Sequence, residues 1–247
     1  MVRPEGLEPP AYWFEASRSI QLSYRRTEPH RIITSGRRAP PPMEHRMETP
    51  IETEVKVRFP GSADDAFKLI EQLGYTVRVP RTLEVDQLFD RADASLRASD
   101  QVLRLRLESN AKGTRWILTY KGPAERERYK SREEVETSVT DGDNLMLVLN
   151  RLGYTPTFRY EKYRTTFGTA EQPGIITVDE TPLGLFLELE GPKHWIDSTA
   201  THLGFSASDY VITSYAGLWQ EYLRGRSNGP KDMTFLAHTP EPYGKLP

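Results

Sequence analysis

Residues 51–59 read Ile-Glu-Thr-Glu-Val-Lys-Val-Arg-Phe, and uncharged and charged residues alternate strictly along this stretch. The charged positions are Glu52, Glu54, Lys56 and Arg58. A period of two is typical of a β-strand, because successive side chains of a strand point to opposite faces. The stretch therefore predicts a strand with one mostly apolar face and one face that carries two acids followed by two bases.

Seven further segments show the same period of two. They are residues 84–90, 101–108, 114–121, 132–139, 158–167, 174–180 and 185–190. Helical patterns interrupt them at residues 62–74 and 141–153, from about Pro192 to Gly204, and from about Ser208 to Leu223. Eight antiparallel strands with few helices predict an α+β protein, mainly β, built as a closed eight-stranded antiparallel barrel with outer helices.

The charged residues of several predicted strands share one face and are sorted by sign. Arg104 shares a face with Arg106, Glu134 with Glu136, Lys162 with Arg164, and Glu188 with Glu190. A solvated face of an antiparallel sheet would explain one such strand. Like charges two residues apart repel, however, so a surface gains nothing from pairing them. If helices cover the apolar faces from outside, the charged faces line the lumen of the barrel.

A lumen of this kind would bind a complex of a divalent metal with a polyphosphate. Clustered carboxylates bind Mg²⁺ or Mn²⁺, which are hard cations that take oxygen ligands. Clustered arginines and lysines bind phosphate oxygens. The chain contains no cysteine, which excludes disulfides and thiolate metal sites.

An ordered set of motifs carries a family resemblance. The E-x-E-x-K motif of residues 52–56 is followed by DQLFD (86–90), LRLR (103–106), LTYKGP (118–123), SREEVE (131–136), EKYR (161–164), VDETPLGLFLELEGP (178–192) and SY (214–215). This set, over about residues 48–220, resembles the CYTH superfamily, the triphosphate tunnel metalloenzymes. The resemblance implies a closed eight-stranded tunnel.

The resemblance also implies roles for individual residues. Carboxylates that match the metal ligands of the family are Glu52, Glu54, Glu188 and Glu190, joined by Asp179 and Glu136. Basic residues that match its catalytic, triphosphate-gripping set are Lys56, Arg104, Arg106, Lys121 and Arg164. Further substrate-binding residues expected in the same lumen are Arg58, Glu134 and Lys162.

The motifs around residues 118–123, 131–136 and 184–190 look most like the class IV adenylate cyclase branch of the family. Such an enzyme converts ATP to cyclic AMP and pyrophosphate with Mg²⁺ or Mn²⁺. One departure is Leu88, since a tyrosine usually precedes Phe-Asp in this motif. The alternative is a triphosphatase that hydrolyses inorganic or thiamine triphosphate with the same residues. A non-catalytic polyphosphate or nucleotide binder is a further alternative.

The composition limits the partners and the location. The 247 residues include 33 basic and 35 acidic ones, for a net charge of −2. This balance argues against binding to nucleic acid or to an anionic membrane. A cytoplasmic protein that binds a small triphosphate is expected, and a homodimer is compatible with the resemblance.

The two ends of the chain differ from its middle. Residues 1–46 are rich in proline and arginine without periodicity, which predicts a disordered extension. Met43 and Met47 are alternative starts, so this extension need not be translated. Residues 47–225 form the predicted domain, and residues 226–247 are expected to be a loose tail. The charged segment 122–131 is expected to be a solvated loop or a mobile flap whose bases close over the triphosphate.

Overall fold

The computed structural model describes residues 50–226 and 229–235 of the chain. Its strands are β1 (Ile51–Arg58), β2 (Thr76–Asp90), β3 (Val102–Asn110), β4 (Gly113–Lys121), β5 (Glu125–Arg126), β6 (Lys130–Val139), β7 (Thr155–Gly168), β8 (Ile175–Thr181) and β9 (Gly184–Glu190). Its helices are α1 (Ala63–Gln72), α2 (Ser95–Ala98), α3 (Gly142–Arg151), α4 (Lys193–His202) and α5 (Tyr215–Leu223).

Eight of the strands close into a barrel. Their order is β1-β9-β8-β7-β2-β3-β4-β6, and pairing of β6 with β1 closes the ring. All of these pairings are antiparallel, and the two-residue strand β5 is an addition on β6. The predicted closed eight-stranded barrel is therefore confirmed.

Helices α1, α3 and α4 lie on the outside of the barrel, where they bury its apolar faces. Val55 and Val57 of β1 pack in one buried cluster with Ile70 of α1 and Ile196 of α4. Burial of such side chains contributes about 1.5–3 kcal/mol each. The opposite face of β1, with its acids and bases, is thereby turned toward the lumen. Helix α5 instead packs against Tyr160 and Phe186, and its residues Tyr215 and Ala216 line the central cavity.

Local sequence fixes the ends of these helices. Ser62 accepts a hydrogen bond from the Asp65 amide, and the Asp65 side chain accepts one from the Ser62 amide, which completes a capping box for α1. Asp141 caps α3 in a similar way through the Asn144 amide. At the start of α3, a Cβ on Gly142 would lie 2.1 Å from the Trp116 ring, so only glycine fits this approach to β4.

The expected helix from Ser208 to Leu223 is wrong in its first half. A short 3₁₀ helix spans Ala207–Asp209, and α5 begins only at Tyr215. Between them, Val211 exchanges backbone hydrogen bonds of 2.8 Å and 3.2 Å with Lys56. The backbone groups of this segment are thus taken by β1, which prevents a continuous helix.

The expectation of a loose tail from residue 226 is wrong for residues 229–235, which we call the C-terminal strap. Met233 of this strap is fully buried and exchanges backbone hydrogen bonds with Arg159 and Glu161 of β7. The strap pairs with β7 along an edge that β8 leaves free. The prediction for residues 1–46 lies outside the described residues. In the described part of the chain, no helix has the length and hydrophobicity needed to span a bilayer.

Candidate active site

A cavity of about 490 Å³ lies inside the barrel, with many charged side chains on its wall. Predicted acids on this wall are Glu52, Glu54, Glu134, Glu136, Glu188 and Glu190. Predicted bases on it are Lys56, Arg104, Arg106, Lys121, Lys162 and Arg164. Alternation along the strands therefore brings both sets of charges into one lumen.

The first acid–base group joins β1, β9 and β6. The register pairs Glu54 with Glu190 and Lys56 with Glu188. Lys56 Nζ lies 3.2 Å from Glu54 Oε1 and 3.3 Å from Glu188 Oε1. Lys130 Nζ lies 2.6 Å from the same Glu54 oxygen. Burial would raise the pKa of the Glu54 carboxyl, but the charges of Lys56 and Lys130 hold that pKa well below its usual range.

Glu190 has a different electrostatic environment. Its side chain forms no ion pair within 4.0 Å of any described residue. Burial, together with the negative charges of Glu52 and Glu54, raises the pKa of Glu190 to about 7. Three carboxylates of the neighbouring strands β1 and β9 therefore influence one another on one side of the lumen.

The arginines of β3 form a second group with acids of β2. Asp86 Oδ1 lies 2.8 Å from Arg106 Nε and 3.4 Å from Arg104 Nε. Arg106 also lies 3.1 Å from Glu84, and Arg104 lies 3.0 Å from Glu136. Each guanidinium thus reaches the cavity with its charge already balanced by carboxylates.

Lys121 of β4 lies between acids of two neighbouring strands. Its Nζ is 3.0 Å from Glu52 and 2.5 Å from Glu134. Burial, followed by the nearby charge of Arg104, lowers the pKa of Lys121 to about 8.

Asp179, a predicted metal ligand, does not line the cavity. Its fully buried carboxylate accepts hydrogen bonds from Lys162 Nζ at 2.9 Å, Arg164 Nε at 2.7 Å and the Tyr215 hydroxyl at 2.8 Å. The register of β7 and β8 places Arg164 directly beside Asp179. Both oxygens are therefore used to hold bases in place.

Arg58, a predicted substrate-binding residue, also lies away from the cavity. Its Nη1 donates a hydrogen bond of 3.3 Å to the Leu183 carbonyl, and its guanidinium lies 4.7 Å from the centre of the Phe186 ring. Alternation assigns Arg58 to the charged side of β1 but does not determine how far along the strand the cavity extends.

The segment predicted as a flap is tied to the outside of the barrel. Arg126 forms a 2.5 Å ion pair with Asp100, and Arg128 forms a 2.9 Å ion pair with Asp197 of α4. Three bases of this segment were expected to close over a ligand, namely Arg126, Arg128 and Lys130. Of these, only Lys130, the first residue of β6, lines the cavity.

The CYTH domain family matches residues 50–199 of the chain, which is more than half of its length. The chain belongs to the CYTH family. The ordered motifs and the barrel geometry agree with this assignment.

Some known proteins of similar sequence or fold carry the name adenylate cyclase. A Methanocaldococcus jannaschii protein named "putative adenylate cyclase" is 32% identical over 143 residues, which cover 57% of this chain and 76% of that protein. A solved Vibrio parahaemolyticus structure of the same name has a TM-score of 0.61 at 22% identity and covers 70% of this chain and 99% of that one.

A plant structure is a further neighbour of this CYTH chain. A Hippeastrum "putative adenylyl cyclase", described as revealing a dominant triphosphatase activity, has a TM-score of 0.52 at 16% identity. The match covers 70% of this chain and 95% of that one. At this identity, the likeness shows the fold alone.

Sequence reasoning missed several charged residues of the CYTH tunnel. Glu84 and Asp86 are buried against Arg106, and they share the alternation of the predicted strand 84–90. Lys130 and Arg132 line the cavity and continue the face of the Glu134–Glu136 pair toward the start of β6. For Glu84, Asp86 and Arg132 the signal was alternation within a segment already predicted as a strand. Lys130 precedes the predicted strand 132–139 and lies in the segment expected to be a loop or a flap, because β6 begins earlier than predicted.

The carboxylates suit a hard divalent cation in their chemistry. Glu52, Glu54 and Glu190 supply only oxygen donors and lie close enough to raise the pKa of Glu190. In residues 50–226 and 229–235, however, no three Asp, Glu or His side chains are placed to hold a metal ion together. Glu52 contacts Lys121, and Glu54 contacts Lys130.

Proposed function

We propose that this CYTH protein is a divalent-metal-dependent adenylate cyclase that converts ATP to cyclic AMP and pyrophosphate. The observation that carries the proposal is that clustered carboxylates and clustered lysines and arginines share the wall of one cavity. A metal–triphosphate complex needs both sets, the carboxylates for the metal and the bases for the phosphates.

The basic side chains of the cavity are the proposed triphosphate ligands. They are Lys56, Arg104, Arg106, Lys121, Lys162 and Arg164. Arginine offers two parallel donors to a phosphate group, so Arg104 and Arg106 suit the most highly charged part of the substrate. Their present carboxylate partners keep them oriented toward the lumen before substrate arrives.

Glu52, Glu54 and Glu190 are the proposed ligands of Mg²⁺ or Mn²⁺, with Glu136 and Glu188 on the same wall. The ion would neutralise charge on the triphosphate when it is bound. Asp179 is left out of this set because its oxygens hold Lys162 and Arg164.

Part of the wall of the same cavity is uncharged, and this part suits the nucleoside of ATP. Leu88, Val102 and Ala216 line it beside the rings of Tyr160 and Tyr215. A cavity of about 490 Å³ is within the usual range for small-molecule ligands of about 300–1,000 Å³. Such a wall can pack against a base and sugar, which inorganic triphosphate does not need.

In the proposed reaction, the ribose 3′ oxygen forms a new bond to the α-phosphorus as the bond between that phosphorus and the pyrophosphate oxygen breaks. The proton of the 3′-hydroxyl passes to solvent. The contribution of this chain is to align the triphosphate and to stabilise the charge that develops on the leaving pyrophosphate, chiefly through lysine and arginine donors.

Triphosphatase activity is the second candidate, favoured by the dominant triphosphatase activity stated for the Hippeastrum neighbour. In that reaction, water attacks the terminal phosphorus, and the same bases and metal would assist. Leu88 in place of the usual tyrosine also removes one polar contact from the cavity wall.

A product assay on the full chain tests these functions. ATP, inorganic triphosphate and thiamine triphosphate are incubated separately with Mg²⁺ or Mn²⁺, and the products are resolved by chromatography. Cyclic AMP and pyrophosphate from ATP are expected. Orthophosphate without a cyclic product would replace the cyclase proposal with a triphosphatase, and tight binding without any product would indicate a binder.

A matched pair of variants shows whether the cavity is the site. Arg106→Lys keeps the charge but loses the paired donors, so we expect kcat/KM to fall about a hundredfold. Arg115→Lys changes an exposed arginine that pairs with Glu108 and lies outside the cavity wall. This control should retain the parental kcat/KM.

A further inference from the structure

Glu54 is shared by two lysines that approach the same oxygen. Lys130 Nζ lies 2.6 Å and Lys56 Nζ 3.2 Å from Glu54 Oε1. The side chains of all three residues are at most 10% exposed. The pairing of β1 with β6 places Lys130 directly opposite Glu54, so this contact follows from the closure of the barrel.

The two lysines depend on Glu54 to different extents. Lys56 has a second carboxylate, Glu188, at 3.3 Å. For Lys130, the contact with Glu54 is its one ion pair within the described residues. Burial lowers the pKa of Lys130, and the nearby positive charges of Lys56 and Arg132 lower it further. Lys130 is therefore the base that loses its partner if Glu54 turns to another cation.

A divalent metal and the Lys130 ammonium cannot both use Glu54 fully. Two cations on one carboxylate repel each other, and the repulsion is strong because the site is shielded from water. Metal binding therefore favours departure of Lys130 from Glu54. A buried ammonium without an anion is costly, so the displaced Lys130 needs a new partner. The cavity that it lines is where the phosphates of the proposed substrate would lie.

We propose that Lys130 occupies Glu54 while the tunnel is metal-free and transfers to a phosphate oxygen when a divalent cation and a triphosphate bind together. This inference rests on the proposed function, since it takes the metal and the triphosphate from it. Lys130 then couples the two ligands, because the metal frees the lysine for the phosphate and the phosphate removes the lysine from the metal site.

The decisive measurement is the affinity of the protein for Mn²⁺ alone, followed by electron paramagnetic resonance of free Mn²⁺. Lys130→Met removes the competing ammonium, so Mn²⁺ should bind at least about fivefold more tightly than to the parental protein, the lower end of ordinary coupling between two ligands. A merely structural role of Lys130 would weaken metal binding or leave it unchanged.

Two further variants control this measurement. Lys130→Arg retains a cation beside Glu54 and should keep the parental Mn²⁺ affinity. Lys68→Met removes an exposed lysine on α1, outside the barrel, and should do the same. If Lys130→Met does not fold, as judged by circular dichroism, Lys130→Gln replaces it. Unchanged or weaker Mn²⁺ binding by the folded variant overturns the inference.

Kinetics separate this inference from the proposed function. In Lys130→Met, the Mg²⁺ concentration for half-maximal activity should fall, while KM for the metal–triphosphate should rise. If the parental protein produces neither cyclic AMP nor orthophosphate, the proposed function fails, but the Mn²⁺ measurement still reports on the competition at Glu54. If turnover is normal and Mn²⁺ affinity is insensitive to Lys130, only the inference fails.

Discussion

Asp179 and Glu190 are both predicted metal ligands, but their surroundings in the barrel are opposite. Asp179 is fully buried among Lys162, Arg164 and Tyr215, all of which donate hydrogen bonds to it. Glu190 lines the cavity beside other acids, which raise its pKa to about 7. The residue type and the alternation pattern do not distinguish these two roles. The residues that surround each carboxylate come from segments that are distant in sequence.

The contrast predicts opposite effects on stability. Asp179→Asn leaves Lys162 and Arg164 with less negative charge in a buried site, so the free energy of unfolding should fall by about 3 kcal/mol. Glu190→Gln removes a carboxylate that repels Glu52 and Glu54, so stability at pH 8 should be unchanged or higher. Urea unfolding of the metal-free proteins measures both. Equal losses in the two variants would contradict the assigned roles.

At the level of elements, alternation predicted the core of the barrel but not all of its edges. The strand expected at residues 84–90 begins at Thr76 in the structure. The sequence does not predict this extension, because Pro80 is unfavourable in most strands and Val77 and Val79 are exposed. The structure accommodates Pro80 because an edge position in a sheet tolerates proline. The segment before α5 was misjudged for a similar reason, because Val211 pairs with the distant backbone of Lys56. Such long-range pairings leave no local signal.

In segment 122–131, Arg126 and Arg128 form ion pairs outside the barrel with Asp100 and Asp197. We therefore expect these two arginines not to bind substrate. The double change Arg126→Ala with Arg128→Ala should leave KM for the triphosphate substrate within about twofold. Each exposed ion pair should contribute no more than about 1 kcal/mol to stability. Steady-state kinetics and urea unfolding test both statements. A large rise in KM would instead show that these arginines leave Asp100 and Asp197 and close over the substrate.

The C-terminal strap should contribute to the stability of the barrel. Met233 is fully buried in a cluster with Trp219 of α5 and Tyr160 of β7. Met233→Ala leaves a cavity there and should lower the free energy of unfolding by about 2–5 kcal/mol. Lys231→Ala, at an exposed position of the same strap, should have little effect. A similar stability for both variants would show that the strap is loosely attached.

At the scale of the whole molecule, the acids and bases of the lumen come from strands spread over the chain, and the two ends of the sheet meet only when β6 pairs with β1. Thr53 of β1 and Ser131 of β6 form a 2.9 Å hydrogen bond at this junction, beside the contact between Lys130 and Glu54. A binding site that uses side chains from several strands at once exists only in the closed barrel. Ligand binding should therefore stabilise the fold as a unit.

This linkage predicts a thermal shift. Inorganic triphosphate with Mg²⁺, at about a hundred times its Kd, should stabilise the native state by about 2.7 kcal/mol and raise Tm by about 5–10 °C. Sulfate at the same ionic strength should give a much smaller shift, because it lacks the length to contact bases on several strands. Glu54→Gln should reduce the shift with Mg²⁺, since it removes a proposed metal ligand. A Tm that responds equally to triphosphate and sulfate would mean that the lumen binds anions through charge alone, without the joint recognition of metal and phosphate on which the proposed chemistry depends.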